Sequence, residues 1–100
     1  MMLRWTATAR SDLREIREYI GKDSKIYAKR MVDRIKKAVE RLRRFPHIGS
    51  RVEEWDREDF REILVGNYRI IYQVTPDRVR ITTILHGARR LPGPKSPDLT

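Results

Sequence analysis

The sequence contains no cysteine and only two histidines among its 100 residues. Without thiols it can form neither a disulfide nor a thiolate metal site, and it has no cysteine nucleophile. His47 and His86 are too few for a histidine-rich metal site. The glycine-rich phosphate loops and the nucleophile elbow are also missing. We therefore expect neither a metal nor another cofactor.

Long apolar runs are absent as well. No segment approaches the roughly 20 apolar residues that a membrane-spanning helix needs. The first ten residues are charged but lack the apolar stretch of a secretory signal. We expect a cytoplasmic protein that does not act at a membrane.

Positive charge is abundant: 23 Lys and Arg face 14 Asp and Glu, for a net charge of +9. Residues 1–50 hold 14 basic and 6 acidic side chains, whereas residues 51–100 hold 9 and 8. The acids of the second half concentrate between Glu53 and Glu62. Such a balance favours an acidic partner, which can be a nucleic acid, an acidic protein or an anionic membrane face.

Apolar residues spaced three and four apart predict two amphipathic helices. The first apolar stripe is Ala9, Leu13, Ile16 and Ile20, and the second is Ala28, Val32, Ile35, Val39 and Leu42. Thr8 or Ser11 is placed to cap the first helix, and Asp23 or Ser24 to cap the second. About three residues join the helices, which predicts an antiparallel hairpin with facing stripes.

Residues 2–6 resemble a short strand, and from Phe60 onward three runs are rich in β-branched and aromatic residues. Turn signals at Gly66-Asn67 and Pro76-Asp77 separate these runs and predict an antiparallel meander. The expected fold is α+β: an N-terminal strand and an antiparallel two-helix hairpin packed on a small antiparallel β-sheet. Residues 1–91 form the single predicted domain, and residues 92–100 a flexible C-terminal tail.

Two groups of residues are candidates for function. Residues 25–44 carry nine Lys or Arg and two acids, which suits a nucleic-acid backbone or simply a solvated helix face. Arg69, His86 and Arg89 lie on or just after adjacent strands and can supply the charge and the acid or base that RNA cleavage needs. Alternatively, Arg69 pairs with an acid such as Glu62 across the hairpin, and His86 only hydrogen-bonds at a strand end. Trp55, inside the acidic segment, is either a loop anchor or a partner contact.

Four motifs together resemble the RelE/ParE toxin superfamily of bacterial and archaeal toxin–antitoxin modules, over about residues 3–91. They are A-x-x-D-L-x-x-I-x-x-Y-I from Ala9 to Ile20, L-x-x-F-P-x-x-G from Leu42 to Gly49, R-E-x-x-V-G-N-Y-R-I-I-Y from Arg61 to Tyr72, and I-L-H-G-A-R from Ile84 to Arg89. The resemblance implies the helix pair and the central hairpin described above.

The superfamily combines two activities with one fold, so the fold does not choose between them. RelE-like members cut mRNA on the ribosome, and ParE-like members poison DNA gyrase without known hydrolytic chemistry. Arg69 and Arg89 match arginines of the RNA-cutting branch. Where that branch tends to carry Lys or Arg, however, the strand before the turn has an acid and apolar residues, and no tyrosine follows Leu91. The resemblance therefore favours a ParE-like gyrase inhibitor; the alternative is a ribosome-dependent mRNA endoribonuclease that uses Arg69, His86 and Arg89.

The resemblance also implies a small acidic antitoxin that wraps the toxin in a hetero-oligomer. We expect this antitoxin to lie across the helical hairpin and the sheet, in contact with the helix of residues 25–44 and with an exposed apolar groove between the helices and the sheet. The residues expected to bind the antitoxin or the target are Arg30, Arg34, Arg41, Arg61 and Arg90.

Overall fold

The computed structural model describes residues 1–87 and consists of two helices on one face of a five-stranded sheet. In chain order the elements are β1 (Met2–Trp5), α1 (Ala7–Gly21), α2 (Lys25–Glu40) with a 3-10 turn at Arg41–Arg43, β2 (Ser50–Arg51), β3 (Phe60–Val65), β4 (Tyr68–Val74) and β5 (Arg78–His86). The predicted α+β architecture is confirmed. The predicted tail, residues 92–100, lies outside the described residues.

The sheet has the strand order β1-β5-β4-β3-β2. The predicted meander of β3, β4 and β5 is present, and Gly66 makes its first turn with a φ of 58°, which glycine adopts without strain. The prediction of a wholly antiparallel sheet is wrong, because β1 pairs with β5 in parallel. Parallel pairing needs a long connection, and here the helices and the rest of the meander lie between the two strands.

Side-chain caps set where both helices begin. The Thr6 hydroxyl accepts a hydrogen bond from the Ala9 amide at 3.1 Å and donates to the Ile81 carbonyl at 2.8 Å. The predicted caps at Thr8 and Ser11 are wrong, since α1 begins at Ala7 and its cap is Thr6, which also ties the chain to β5. The Ser24 hydroxyl accepts a hydrogen bond from the Tyr27 amide at 3.1 Å, so of the two predicted caps for α2, Asp23 and Ser24, the second is confirmed.

Asp12, a residue of the first motif, anchors α1 to the sheet. Its carboxylate accepts hydrogen bonds from the Thr83 hydroxyl at 2.6 Å and from the Ile84 amide at 2.9 Å. Strand β1 pairs with β5 only as far as Ile81. Asp12 therefore satisfies an amide on the part of β5 that β1 no longer covers.

The main core fills the space between the helices and the sheet. Ile35, Val39 and Leu42 are at most 1% exposed and pack with strand residues such as Ile70 and Ile81. The expectation of an open apolar groove between helices and sheet is therefore wrong for the centre of this interface. A depression remains only at its edge, between α2 and β3.

A second, smaller core lies on the other face of the sheet and consists of Val52, Trp55, Phe60 and Ile71. Ile71 belongs to it because neighbouring residues of β4 point to opposite faces. Trp55 is 1% exposed, and its ring lies 4.8 Å from that of Phe60 in an edge-to-face arrangement. Of the two roles open for Trp55, the structure supports the loop anchor.

Candidate functional site

The sheet face opposite the helices carries a cleft of about 700 Å³, which we call the sheet cleft. It lies between the loop that follows β2 and the turn that joins β3 to β4. Its charged and titratable lining includes Glu54, Glu62, Arg69 and His86. Two of the three predicted catalytic residues thus line one cavity.

Arg69 is 7% exposed and holds two carboxylates at once. Its Nη1 and Nη2 donate to the two oxygens of Glu54 at 2.7 and 2.8 Å. Its Nη2 and Nε donate to the two oxygens of Glu62 at 2.6 and 3.2 Å. The hydrogen bonds to Glu54, followed by those to Glu62, raise the pKa of Arg69 above its ordinary value in spite of burial. The pairing with Glu62 offered as an alternative from the sequence is present.

The local structure explains how these three side chains meet. Arg69 is opposite Leu64 in the β3–β4 ladder, so Glu62 is its diagonal neighbour on the same face. Glu54 comes from the loop after β2, and the buried ring of the next residue, Trp55, fixes that loop. Nothing in the local sequence signalled Glu54, because its position depends on the packing of a loop.

The sheet cleft is not cationic among its described residues. Its lining contains Glu53, Glu54 and Glu62 against Arg51 and Arg69. Arg51 lies 3.1 Å from an Asp56 oxygen, and Arg69 is bound by its two glutamates. Phosphate groups would therefore meet carboxylates at least as readily as free guanidinium groups.

His86 ends β5 at the rim of the sheet cleft. Its ring is 6.0 Å from that of Tyr68 in an edge-to-face arrangement. The pKa of Tyr68 is raised by burial and by the nearby hydroxyls of Tyr19 and Tyr27. The predicted catalytic residue Arg89 and the predicted binding residue Arg90 lie outside the described residues.

The other predicted binding residues lie on α2, on the 3-10 turn that follows it and on β3. Arg41 lines the depression between α2 and β3, a volume of about 360 Å³ that we call the edge groove. Arg34 lies beside the Gly66 turn, and Arg30 is exposed one turn earlier on α2. Arg61 instead donates to the Gly49 carbonyl at 2.7 Å and so holds the loop before β2.

The edge groove combines charge with exposed apolar residues. Its apolar lining is Ala38, Ile48, Ile63 and Leu64. Leu64 is 69% exposed and Ile48 is 53% exposed. The charged lining of the edge groove is Arg41 and Glu62. An exposed apolar surface of this kind is typical of a site that another protein covers.

A further groove, which we call the hairpin groove, runs between α1 and α2, on the helical hairpin across which the antitoxin is expected to lie. A pocket of about 480 Å³ is lined there by Trp5, Leu13 and Val32 together with several cations: Arg10, Arg14, Arg17 and Lys36. The signal was present in the sequence, because Arg10, Arg14 and Arg17 recur at the spacing of a single helix face.

Within residues 1–87, no group of three or more His, Asp or Glu is placed to hold a metal ion. None of the described helices is both long and apolar enough to cross a membrane.

Comparison of the fold and the sequence with those of known proteins identifies the class of protein. A solved structure described as "Chromosomal ParDE TA system from P. aeruginosa" is similar over 86% of this chain and 95% of that chain, with a TM-score of 0.72 and 21% identity. This likeness confirms the RelE/ParE-type fold. Residues 3–91 match the model of the family "ParE toxin of type II toxin-antitoxin system, parDE". The chain therefore belongs to the ParE toxin family of type II toxin–antitoxin systems.

Two curated relatives agree with this assignment. The chain is 39% identical to "Toxin RelE2" of Caulobacter vibrioides over 85 residues, which cover 85% of this chain and 93% of the relative. It is 35% identical to "Putative toxin Y4kP" of Sinorhizobium fredii over 94 residues, which cover 90% of this chain and 92% of the relative. The family description names ParE whereas one relative is named RelE2, so the comparisons do not distinguish between the two targets.

Proposed function

We propose that this type II toxin inhibits DNA gyrase when it is free of its antitoxin, and that it has no hydrolytic chemistry of its own. The observation that carries the proposal is the state of Arg69. Two glutamates bind the guanidinium group, which an RNA-cutting member would present to phosphate.

The electrostatics of the sheet cleft support this choice. Cleavage of RNA by its own 2′-hydroxyl develops negative charge on phosphorus, and donors that face this charge accelerate the reaction. Here Glu54 and Glu62 occupy the donors of Arg69 and would repel an incoming phosphate. Freeing Arg69 would take a cation away from two largely buried carboxylates, which is costly.

A specific observation keeps ribosome-dependent mRNA cleavage as the second candidate. His86 and Arg69 line one cleft of a size that accepts a nucleotide, and a relative with 39% identity is named Toxin RelE2. In that case His86 acts as acid or base, and Arg69 and Arg89 stabilise the phosphate charge. Arg69 would first have to exchange its glutamates for substrate.

We further propose that an acidic antitoxin neutralises the toxin by covering the edge groove. Arg34 and Arg41 would pair with antitoxin carboxylates, while Ile48 and Leu64 would receive its apolar side chains. Arg30 and Arg90 would add charge around this contact, and the net charge of +9 would speed the encounter. Arg61 would act indirectly, because it holds the loop that carries Ile48.

A comparison of two readouts tests the target. We expect wild-type toxin to trap cleaved gyrase–DNA complexes on plasmid DNA and to leave mRNA on translating ribosomes uncut in a primer-extension assay. Codon-specific cuts that disappear in His86→Ala and Arg89→Ala would contradict the proposal and favour the second candidate. His47→Ala is the matched control, because His47 is the other histidine and does not line the sheet cleft.

A further inference from the structure

A patch of arginines lies on the sheet face opposite the helices, at the edge that β1 forms. Its residues come from two adjacent parallel strands, with the sequences M-L-R-W in β1 and R-V-R-I at the start of β5. The residues that alternate with these arginines belong to the main core or pack against it: Leu3, Trp5, Val79 and Ile81. Because neighbouring residues of a strand point to opposite faces, the arginines face away from the helices. We call Arg4, Arg78 and Arg80 together the strand patch.

The strand register brings the arginines of the strand patch close together. Arg4 is paired with Arg80 in the β1–β5 ladder, and Met2 is paired with Arg78. Adjacent strands lie about 4.8 Å apart, and the two-residue step from Arg78 to Arg80 spans about 6.6 Å along β5. Three permanently charged side chains therefore share a small area of the sheet.

A row of polar side chains continues the strand patch across β4. The Nη1 of Arg80 lies 3.5 Å from the Oε1 of Gln73, its partner in the β4–β5 ladder. Gln73 in turn donates to Asp59 at 2.8 Å, and the same carboxylate accepts from two nitrogens of Arg57 at 3.0 and 2.7 Å. Arg57 thus adds a fourth cation to this part of the sheet face, with Asp59 as its counter-ion.

The fold does not account for this concentration of positive charge. Within residues 1–87, Arg4 forms no ion pair with a carboxylate. Arg78 lies 3.5 Å from an oxygen of Asp77, but the two side chains are 41% and 72% exposed, so solvent screens the pair. Like charges opposite each other on neighbouring strands destabilise a sheet. The pairing of Arg4 with Arg80 therefore costs stability, which points to a role in binding.

The shape and chemistry of the strand patch select its occupant. None of its arginines lines the sheet cleft, the edge groove or the hairpin groove, and an amphipathic peptide would need such a cavity for its apolar side chains. A phosphate backbone needs only spaced cations, and arginine can donate two hydrogen bonds to one phosphate. The step from Arg78 to Arg80 is close to the rise of about 6.8 Å over two nucleotides of one DNA strand. A nucleic-acid backbone therefore fits the patch better than a peptide does.

We propose that the strand patch binds the sugar–phosphate backbone of duplex DNA, without reading its sequence. The choice of DNA rests on the proposed function, in which the toxin acts on a complex of gyrase with DNA. A toxin that contacts the DNA as well as the enzyme holds two parts of that complex, so the second contact forms at high effective concentration. The strand order places the patch at the β1 edge of the sheet, whereas the edge groove lies beside β3, so the two sites can be altered separately.

Removal of two charges tests the contact. Fluorescence anisotropy of a labelled duplex of about 20 base pairs measures binding at several salt concentrations. We expect Arg4→Gln/Arg78→Gln to weaken binding at least 10-fold and to reduce the slope of log K against log salt by about 2, because each phosphate contact contributes about 0.9. The matched control, Lys25→Gln/Lys37→Gln, removes the same charge at two exposed positions of α2 and should stay within threefold of wild type. Circular dichroism confirms that each variant is folded.

The absence of cysteine provides a second readout, because a single introduced thiol can be labelled selectively. Met2 is 53% exposed and is paired with Arg78, so Met2→Cys places a photoactivatable crosslinker within the strand patch. We expect illumination to link this variant to the duplex. The control is Leu64→Cys, at a position that is 69% exposed and lines the edge groove. It should give at least fivefold less crosslinked DNA.

Three outcomes would overturn the inference. If Arg4→Gln/Arg78→Gln binds the duplex like the control, the patch does not bind DNA, and trapping of gyrase–DNA complexes by the wild type still supports the proposed function. If a single-stranded RNA of equal length binds more tightly than the duplex and loses affinity in this variant, the occupant is RNA. If an acidic protein encoded beside the toxin displaces the duplex and loses affinity in the same variant, the occupant is that protein.

Failure of the proposed function gives a different result. The wild type then traps no gyrase–DNA complexes, while Arg4→Gln/Arg78→Gln still loses affinity for the duplex. That combination would support the strand patch as a DNA-binding surface and would reject gyrase as the target.

Discussion

The sheet cleft and the hairpin groove use positive charge in opposite ways. In the cleft, Arg69 is buried and its guanidinium is bound by Glu54 and Glu62. In the groove, Arg14 and Arg17 are exposed and form no ion pair with a carboxylate of residues 1–87. The net charge of +9 is therefore a poor guide to function until each cation is assigned to one of these two states.

The difference has an energetic basis. A buried ion pair must repay the desolvation of every charge in it, so its members are held to each other and are not free to bind a ligand. An exposed, unpaired arginine contributes little to folding but retains its full attraction for an acidic partner. The comparison therefore supports a structural role for Arg69 in the cleft and the expected role of the groove in recognition.

The largest expected effect on stability comes from Trp55→Ala, which tests the structural role of the sheet cleft. The substitution leaves a cavity beside Phe60 and Ile71 and should lower the free energy of unfolding by about 4 kcal/mol. It also releases the loop that carries Glu54, so Arg69 loses the carboxylate of Glu54. Urea denaturation followed by circular dichroism measures the loss.

Trp55→Phe is the control for this prediction, because it keeps an aromatic ring against Phe60. Its cost should be clearly smaller than that of alanine. A loss below about 1 kcal/mol for Trp55→Ala would mean that the second core does not hold the loop, since a buried tryptophan normally contributes several times more.

The second largest effect on stability is expected for Arg69→Met, which tests the buried ion pairs of the sheet cleft directly. Removing the guanidinium leaves Glu54 and Glu62 close together in a largely buried position, at an expected cost of about 3 kcal/mol in the free energy of unfolding. Replacing both glutamates by glutamine in the same variant should restore most of that loss, because the two negative charges that Arg69 neutralised are then also gone. The same denaturation experiment measures both variants.

Arg51→Met provides the matched control within the same cleft. Arg51 pairs with Asp56, but the two side chains are 51% and 104% exposed. Solvent screens such a pair, so its loss should cost less than about 1 kcal/mol. Equal losses for Arg51→Met and Arg69→Met would show that burial of the Arg69 ion pairs adds nothing to the stability of the protein. The contrast between the sheet cleft and the hairpin groove would then have no energetic basis.

The sequence predicted the parts of this structure that depend on local pattern. Helical spacing placed the stripe from Ala28 to Leu42 on the core side, and turn signals placed the hairpin at Gly66. The parallel pairing of β1 with β5 was missed, because nothing within Met2–Trp5 records which strand lies beside it. The α1 cap was missed for a similar reason, since Thr6 is fixed by the distant Ile81 as much as by its own helix.

In the candidate site, too, contacts set by local pattern could be predicted, whereas contacts set by distant residues could not. The pairing of Arg69 with Glu62 followed from strand register, and a two-strand hairpin makes that register readable. The contribution of Glu54 required a loop conformation that depends on where Trp55 finds its partners. The hairpin groove required knowing the shape of the surface that the two packed helices leave between them, and the facing apolar stripes alone do not determine that shape.

The smallest expected effect on stability concerns the two exposed arginines of the hairpin groove. Arg14→Gln/Arg17→Gln removes two exposed charges that have no internal carboxylate partner, so the free energy of unfolding should change by less than about 0.5 kcal/mol. Removing two like charges from a protein of net charge +9 also relieves self-repulsion, which favours a slight gain in stability at low salt. Urea denaturation at low and at high salt measures both terms. A loss of more than about 1 kcal/mol would mean that these arginines support the fold, and the assignment of the groove to recognition would then lose its physical basis.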